Sequence, residues 1–254
     1  MDWLIPLVAF LASLLTFFSG FGLGTLLMAA MLFYFPPELA IAFTAVVHFA
    51  NSSFKVLLNR NVDWKIVGVF GISAFVAAIF GSWVLNALSS MNAVVYDFSQ
   101  TFDFLHPVKL TSCVIGILLL VFAYMEWKFK QATLTVPLWL GGLFSGFFGG
   151  LSGHQGALRS AFLANRMKEV SGWVATSAMI AWFTDLGRLS IYALETDRAS
   201  LDWGLLAITC LAALVAVLIG SYALKKVTLK WVQTYVAIGL FLLGFSMLIG
   251  LIKG

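Results

Sequence analysis

Gly149-Gly150-Leu151-Ser152-Gly153-His154-Gln155-Gly156 interrupts an otherwise apolar stretch, residues 136–165. An earlier apolar stretch, 3–33, is interrupted in the same way by Ser19-Gly20-Phe21-Gly22-Leu23-Gly24. The two stretches are 30 and 31 residues long, whereas one crossing of a bilayer needs roughly 20 residues. Clustered glycines are poor helix interior. Each stretch therefore reads either as one long tilted helix with close-packing glycines or as two short arms meeting at a break. The rest of the chain turns on which reading holds.

Working outward, further apolar segments fall at 38–58, 64–88, 107–127, 170–194, 202–224 and 231–252, each of single-span length. The whole chain of 254 residues is 61% hydrophobic and 10% charged, with a mean hydropathy of +1.00. Soluble domains are about half apolar and about a quarter charged. A soluble enzyme, a disordered chain and a coiled coil are excluded. The apolar runs are continuous instead of alternating, which excludes a transmembrane β-barrel. An all-α polytopic membrane protein remains. Met1-Asp2-Trp3 offers no basic n-region, so no secretory signal is expected there. Cys113 and Cys210 lie inside apolar runs without metal or redox spacing, and read as small buried hydrophobes. No metal, cofactor or nucleic-acid partner is expected.

The chain also repeats. Ser19-Gly20 matches Ser152-Gly153, and Lys55 matches Arg188, both at an offset of 133 residues. Asp63-Trp64 matches Asp202-Trp203 and Gly81-Ser82 matches Gly220-Ser221, both at 139; Ile115-Gly116 matches Ile238-Gly239 at 123. Offsets change only in loops, where insertions are tolerated. Two copies are expected: residues 1–131 (3–33, then 38–58, 64–88 and 107–127) and 132–254 (136–165, then 170–194, 202–224 and 231–252).

Basic residues orient the copies. If every segment crosses once, they divide seven against six. If the two broken stretches are re-entrant hairpins, ten lie on one side (Lys55, Arg60, Lys65, Lys128, Lys130, Arg166, Lys168, Lys225, Lys226, Lys230) and three on the other (Lys109, Arg198, Lys253). The hairpin arrangement is thus expected. Three spans per copy is odd, so the copies are inverted, with both termini on the periplasmic side. The two hairpin tips then meet near the midplane. Trp3, Trp64, Trp127, Trp203 and Trp231 lie near segment ends, as interface anchors do.

Broken backbone at membrane depth is tolerated only where protein or a polar cavity satisfies it. Helix N-termini and glycines at such breaks suit a small anion, and broken helices in inverted repeats are a transporter arrangement. The substrate-binding candidates are Ser19, Gly20, Gly22 and Gly24 at the first tip, and Ser152, Gly153, His154, Gln155, Gly156 and Arg159 at the second. His154 reads as a substrate donor or proton-coupling group, or as a neutral hydrogen-bonding tie. An intramembrane arginine needs a cavity or a partner; Arg159 attracts the anion or neutralises Asp185. Asn51, Ser52, Thr184, Asp185 and Arg188 are coupling or gating candidates. Asp185 and Arg188 share a helix face at i, i+3, which favours an ion pair over a proton relay. Lys55 lies close enough to a helix end to snorkel, and His48 reads as a helix-packing hydrogen bonder.

These residues resemble the TauE/SafE (sulfite exporter) family of bacterial membrane proteins. The resemblance rests on the duplicated glycine-rich segment, on Pro36-Pro37 and on Asn61-Val62-Asp63-Trp64. The family's Gly-x-Gly-Gly-Gly run is loose at Gly20-Phe21-Gly22-Leu23-Gly24, and His154 and Gln155 replace its glycines in the second copy. The resemblance implies transport of sulfite or another small sulfur-containing or organic anion, often outward, by a multi-pass protein of the bacterial inner membrane. With the midplane site between the hairpin tips, alternating access is expected; the expected partners are that anion and the lipid bilayer, with protons a candidate coupling ion through His154. A channel using the same site is one alternative. A rhomboid-like intramembrane serine protease is another, because Gly150-Leu151-Ser152-Gly153 spells its motif; but such an enzyme needs a later histidine as base, and His48, His106 and His154 supply none beyond residue 154.

Overall fold

The computed structural model describes residues 3–17, 22–99, 101–128, 136–163, 166–167, 169–195, 202–223 and 229–252. Both glycine-rich stretches are broken. The first contains α1 (Leu4–Leu15) and α2 (Leu23–Leu32), and the second contains α7 (Leu138–Ser152) and α8 (Gly156–Leu163). At 1.5 Å per residue these arms are about 12 to 23 Å long, short of the ~30 Å hydrocarbon core. The breaks fall where the backbone needs glycine. Gly22, ahead of α2, has φ +105°, and Gly153, ending α7, has φ +78°. A side chain is strained at such angles.

Between the hairpins lie α3 (Pro37–Leu58), α4 (Trp64–Ile66), α5 (Ile72–Ser90) and α6 (Leu110–Lys128). Pro37 starts α3, where a missing N–H costs nothing. The Asp63 carboxylate accepts hydrogen bonds from the Lys65 and Ile66 amides, capping α4. A π-helical turn, Val67–Gly71, fuses α4 and α5 into one rod, Trp64–Ser90. After the second hairpin come α9 (Val170–Glu195), α10 (Trp203–Ala223) and α11 (Leu229–Leu248). By length and composition, Pro37–Leu58, Trp64–Ser90, Leu110–Lys128 and Trp203–Tyr222 can cross a membrane. α9 has 26 residues, length enough for a crossing.

Two segment boundaries differ from the sequence expectation. The segment expected at 107–127 begins as helix only at Leu110, because Val108–Lys109 (β2) pairs antiparallel with Val94–Tyr96 (β1). The segment expected at 231–252 ends as helix at Leu248. There Gly250 takes φ +76° and its carbonyl accepts the His106 amide at 2.7 Å, while the Tyr96 hydroxyl donates to the Leu248 carbonyl.

Packing follows small residues. Gly142, Gly146 and Gly150 recur every fourth position on α7 and face α5. A methyl group on Gly146 would lie 2.1 Å from the Ala74 carbonyl oxygen, and one on Gly150 would lie 2.2 Å from that of Ala78. The contacts climb both helices together, so α7 runs parallel to the rod and ends beside Ser82, partway along it. α1 runs the same way along α10: Ser13 donates to the Ala213 carbonyl at 3.0 Å, and Phe17 packs on Gly220. α3 and α9 are antiparallel, joined by His48 to Asp185, Phe49 to Trp182 and Asn59 to Ser171. α6 and α11 are antiparallel too, with Gly116 against Gly244 and Leu248. Large apolar side chains such as Phe80, Trp83, Phe144, Leu211 and Phe241 point outward, whereas the polar side chains Ser145, Thr184, Asp185 and Arg188 are buried. This inside-out distribution suits a lipid surround. Trp3, Trp64, Trp127 and Trp203 are exposed at helix ends; the side chain of Trp231 lies outside the described residues.

Candidate functional site

The two breaks meet. A methyl group on Gly24 would sit 3.6 Å from the Gly153 carbonyl oxygen, 3.7 Å from the His48 ring and 3.9 Å from Thr44. The first tip, the second tip and α3 therefore converge. Ser19 and Gly20 lie outside the described residues. Gly22 supplies the turn into α2, Gly156 opens α8, and Gly153 ends α7.

Asp185 on α9 is the hub beside this point. Its Oδ1 accepts from Arg188 Nε at 3.0 Å, Arg188 Nη2 at 2.7 Å and Gln155 Nε2 at 2.9 Å. Its Oδ2 meets His48 Nδ1 at 2.6 Å. With the carboxylate ionised against Arg188, His48 must carry its proton on Nδ1. Gln155 Oε1 in turn accepts from Arg159 Nη1 at 3.3 Å. One polar chain thus links α3, α9, the second tip and α8. The i, i+3 ion pair read from sequence is present, and Arg159 reaches Asp185's cluster through Gln155.

Among the described residues, several buried polar atoms around the tips have no hydrogen-bond partner of ordinary geometry: Thr44 Oγ1, Arg188 Nη1, and both ring nitrogens of His154, whose ring has only a looser contact with the Ser152 backbone. Arg188 Nη1 is 3.4 Å from where a Gly153 Cβ would be. Unpaired buried donors cost about 1–3 kcal/mol each, so these atoms call for a partner such as an ordered water or an ion, or hold local strain. His154 stacks on Phe122, 5.8 Å between centroids, with its nitrogens left over.

A small cavity opens beside this cluster. Its polar wall is His48, Asn51, Ser52, Lys55 and Arg159; its apolar wall is Phe17, Val174, Ala178 and Ala181. It has room for about one water molecule. Lys55 differs from the sequence expectation of a snorkelling side chain. It is only 7% exposed, with its ammonium 5.6 Å from the centre of the Phe17 ring. His48 also does more than pack helices, since it closes onto Asp185. Sequence held a signal for both. His48, Asn51 and Lys55 share one helix face at i, i+3 and i+7, and Lys55 is the repeat partner of Arg188.

The other candidates have scaffold contacts. Asn51 donates to Ser13 Oγ, tying α3 to α1. The Thr184 hydroxyl donates back to the Ile180 carbonyl at 3.0 Å, and its methyl faces Gly149. Ser145 donates to the Gln155 carbonyl, which closes the second hairpin on itself. Ser152 is buried and donates to the Phe148 carbonyl at 3.0 Å. His48 is engaged by Asp185, and among the described residues no histidine bonds the Ser152 hydroxyl, as a nucleophile–base pair would require.

Among known proteins, the family model described as sulfite exporter TauE/SafE matches residues 5–247. No curated protein and no solved structure matches the chain.

Proposed function

The chain belongs to the sulfite exporter TauE/SafE family, and on that premise we propose that it is a secondary transporter of sulfite or a closely related small anion. It is a multi-pass helical membrane protein of a transporter family. In the proposed arrangement it sits in a bacterial inner membrane with both termini periplasmic. The anion binds where the hairpin tips meet, at the level where α7 ends beside Ser82.

The observation that carries this reading is the set of unpartnered buried donors at the Gly24–Gly153 junction. Arg188 Nη1, Thr44 Oγ1 and the imidazole of His154 surround that contact. An oxyanion offers several acceptors to such donors, and charge-assisted bonds are the stronger kind. A neutral solute would forgo the charge-assisted bond that Arg188 Nη1 can still give beside its pair with Asp185. The His48–Asp185 contact is the proposed route for a coupled proton, because a proton can pass between these groups without leaving the cluster.

Two inverted copies support alternating access. The equivalent helices α3 and α9 pack antiparallel, as do α6 and α11, while each hairpin lies along a helix of the other copy. Both sides are bolted in this conformation. On the basic-rich side, Asn59 donates to the Ser171 carbonyl at 2.8 Å, Asn61 to Ser171 Oγ at 3.1 Å, and the Asp63 amide to Thr176 Oγ1 at 2.9 Å. On the other, Ser89 donates to Glu38 at 2.6 Å and the His106 amide to the Gly250 carbonyl at 2.7 Å. The first set includes bonds at the exposed surface, where water replaces a lost partner at low cost. Opening that side first leaves the buried Asp185 hub intact.

Counterflow of labelled sulfite in proteoliposomes tests the proposal. A carrier shows faster uptake when unlabelled sulfite is present on the far side. A channel shows no such stimulation, and a protein of neither kind shows no uptake.

A further inference from the structure

We propose that Glu126 is the acid that exchanges the coupled proton with water, holding it while the basic-rich side is closed and releasing it when that side opens. This rests on the transport reading and deepens it. The His48–Asp185 pair passes a proton within its own cluster, whereas a coupled proton must also cross to water.

Ile115, Leu119, Phe122 and Glu126 of α6 recur at the spacing of one helix face, and all four are buried. Their neighbours show what this face meets. Gly116 lies against Gly244 and Leu248 of α11, and a methyl group on Gly244 would be 3.0 Å from Leu119 Cβ. Phe122 meets Phe148 of α7 edge-on, 5.5 Å between centroids, and stacks on His154 at the second tip. In the two-copy reading, α6 belongs to the first copy and all of these partners to the second. Glu126 thus completes an apolar stripe at the joint between the copies. It lies one turn, about 6 Å, beyond the level of His154, and two residues before the basic-rich end of α6 at Lys128.

The Glu126 side chain is 6% exposed, and its Oε1 has no hydrogen-bond partner. The surrounding elements offer little charge. α5 and α7 carry no ionisable residue. α11 carries Tyr235, which is exposed, and Lys230, whose side chain lies outside the described residues. The second hairpin brings His154, and Arg159, which is engaged by Gln155. On α6 itself, Lys128 is exposed and bonded to the Tyr124 hydroxyl at 2.8 Å; β1 and β2 meet the opposite end of the helix. Among the described residues, no cation pairs with Glu126. An ionised carboxylate there would be a buried charge without a counter-charge, which is strongly unfavourable, and a leucine would complete the stripe without that cost. In the closed conformation the group is therefore a neutral carboxylic acid. Intramembrane ionisable residues of this kind mark proton pathways. Alternating access parts the copies along this joint. When water reaches Glu126, its O–H bond breaks, the electron pair stays on the carboxylate and the proton goes to water. Closing again requires the proton back, so opening and proton exchange become one event.

The test uses the purified full-length protein in proteoliposomes, with protein-free liposomes subtracted because sulfite is itself a weak acid. Two quantities are read: counterflow of labelled sulfite at equal pH on both sides, and its accumulation under a pH step of one unit applied in each direction. One unit is a tenfold proton ratio, so a carrier moving one proton per anion shifts accumulation by up to about tenfold. The wild type shows both. Glu126→Gln keeps the shape of the acid and cannot exchange its proton. Its counterflow stays within about twofold of wild type, while the pH step moves its accumulation by less than about twofold. Glu126→Asp, still an acid, restores the response to the pH step. Infrared difference spectroscopy adds a readout that needs no transport: at neutral pH the wild type shows a carboxylic-acid carbonyl band that Glu126→Gln lacks. A Glu126→Gln variant that still accumulates sulfite on the pH step overturns the inference. So does a wild type without that band. Loss of counterflow and accumulation together in Glu126→Gln marks a structural residue and overturns it as well. A wild type without counterflow is a different failure, because it removes the transport reading on which the inference rests.

Discussion

Replacing Asp185 with asparagine keeps the shape of the hub and removes its charge. The carboxylate receives four donor atoms: Arg188 Nε, Arg188 Nη2, Gln155 Nε2 and His48 Nδ1. An asparagine offers one oxygen, and its other end is itself a donor. With the oxygen toward Arg188 and Gln155, the new amide faces His48 Nδ1–H, and the imidazole must switch tautomer or turn away. Arg188 meanwhile keeps a full charge in a fully buried site. Breaking a buried pair from one side costs about 3–5 kcal/mol. For a chain of this size each kcal/mol moves the midpoint by about 2–4 °C, so Asp185→Asn should unfold roughly 6–20 °C below the wild type. Thermal unfolding in detergent, followed by tryptophan fluorescence, reads this directly. The double variant Asp185→Asn/Arg188→Met removes the stranded charge and should recover part of the loss. A single variant within about 2 °C of wild type would show that the hub does not hold α3, α9 and the second tip together. A double variant no better than the single one would show that the stranded arginine is not the cause.

Gly146→Ala drives a methyl to 2.1 Å from the Ala74 carbonyl oxygen, so α7 must retreat by about 1 Å; the expected cost is about 1–3 kcal/mol with a matching fall in sulfite uptake. Gly239→Ala meets nothing within 4 Å and should leave stability equal or higher, since alanine favours helix by about 1 kcal/mol; equal melting of the two variants would refute the packing account. His154→Phe keeps the stack on Phe122 and deletes two buried, unpartnered nitrogens. Its melting temperature should hold or rise, by up to about 1–3 kcal/mol of relieved desolvation, while sulfite uptake in proteoliposomes falls about tenfold, the worth of one bond to a charged partner. Unchanged uptake would make His154 part of the scaffold.

Local glycine chemistry made the two breaks legible. A run such as Gly149 to Gly156 resists continuous helix wherever it occurs, and the turn at Gly153 uses a backbone angle that only glycine takes cheaply. The spans were legible for a similar reason, because apolar length is read residue by residue. The ribbon of Val94–Tyr96 with Val108–Lys109 was not. Neither strand carries alternation long enough to register, and their pairing depends on the far end of α11 receiving Tyr96 and His106. The π-helical turn at Val67–Gly71 is hidden in the same way, since an extra residue in a helical turn leaves the apolar composition unchanged.

Lys55 shows where sequence reading stops for the site. Three residues from the end of α3, a lysine has a short path to the interface, and nothing within its own helix forbids snorkelling. What turns it inward lies elsewhere: Phe17 arrives from just after α1, Arg159 from α8, and Val174 and Ala178 from α9. Burial of a charge is decided by what covers it, and those covers are about 38 to 123 residues away in the chain. Two clues lay in the sequence: the face that Lys55 shares with His48 and Asn51, and the offset that pairs Lys55 with Arg188, a fully buried arginine. The two positions then part company in chemistry. Arg188 has a carboxylate three residues before it, and Lys55 has Ser52 at the equivalent place. Under that offset a cation paired with a carboxylate corresponds to one that, among the described residues, meets an aromatic ring instead.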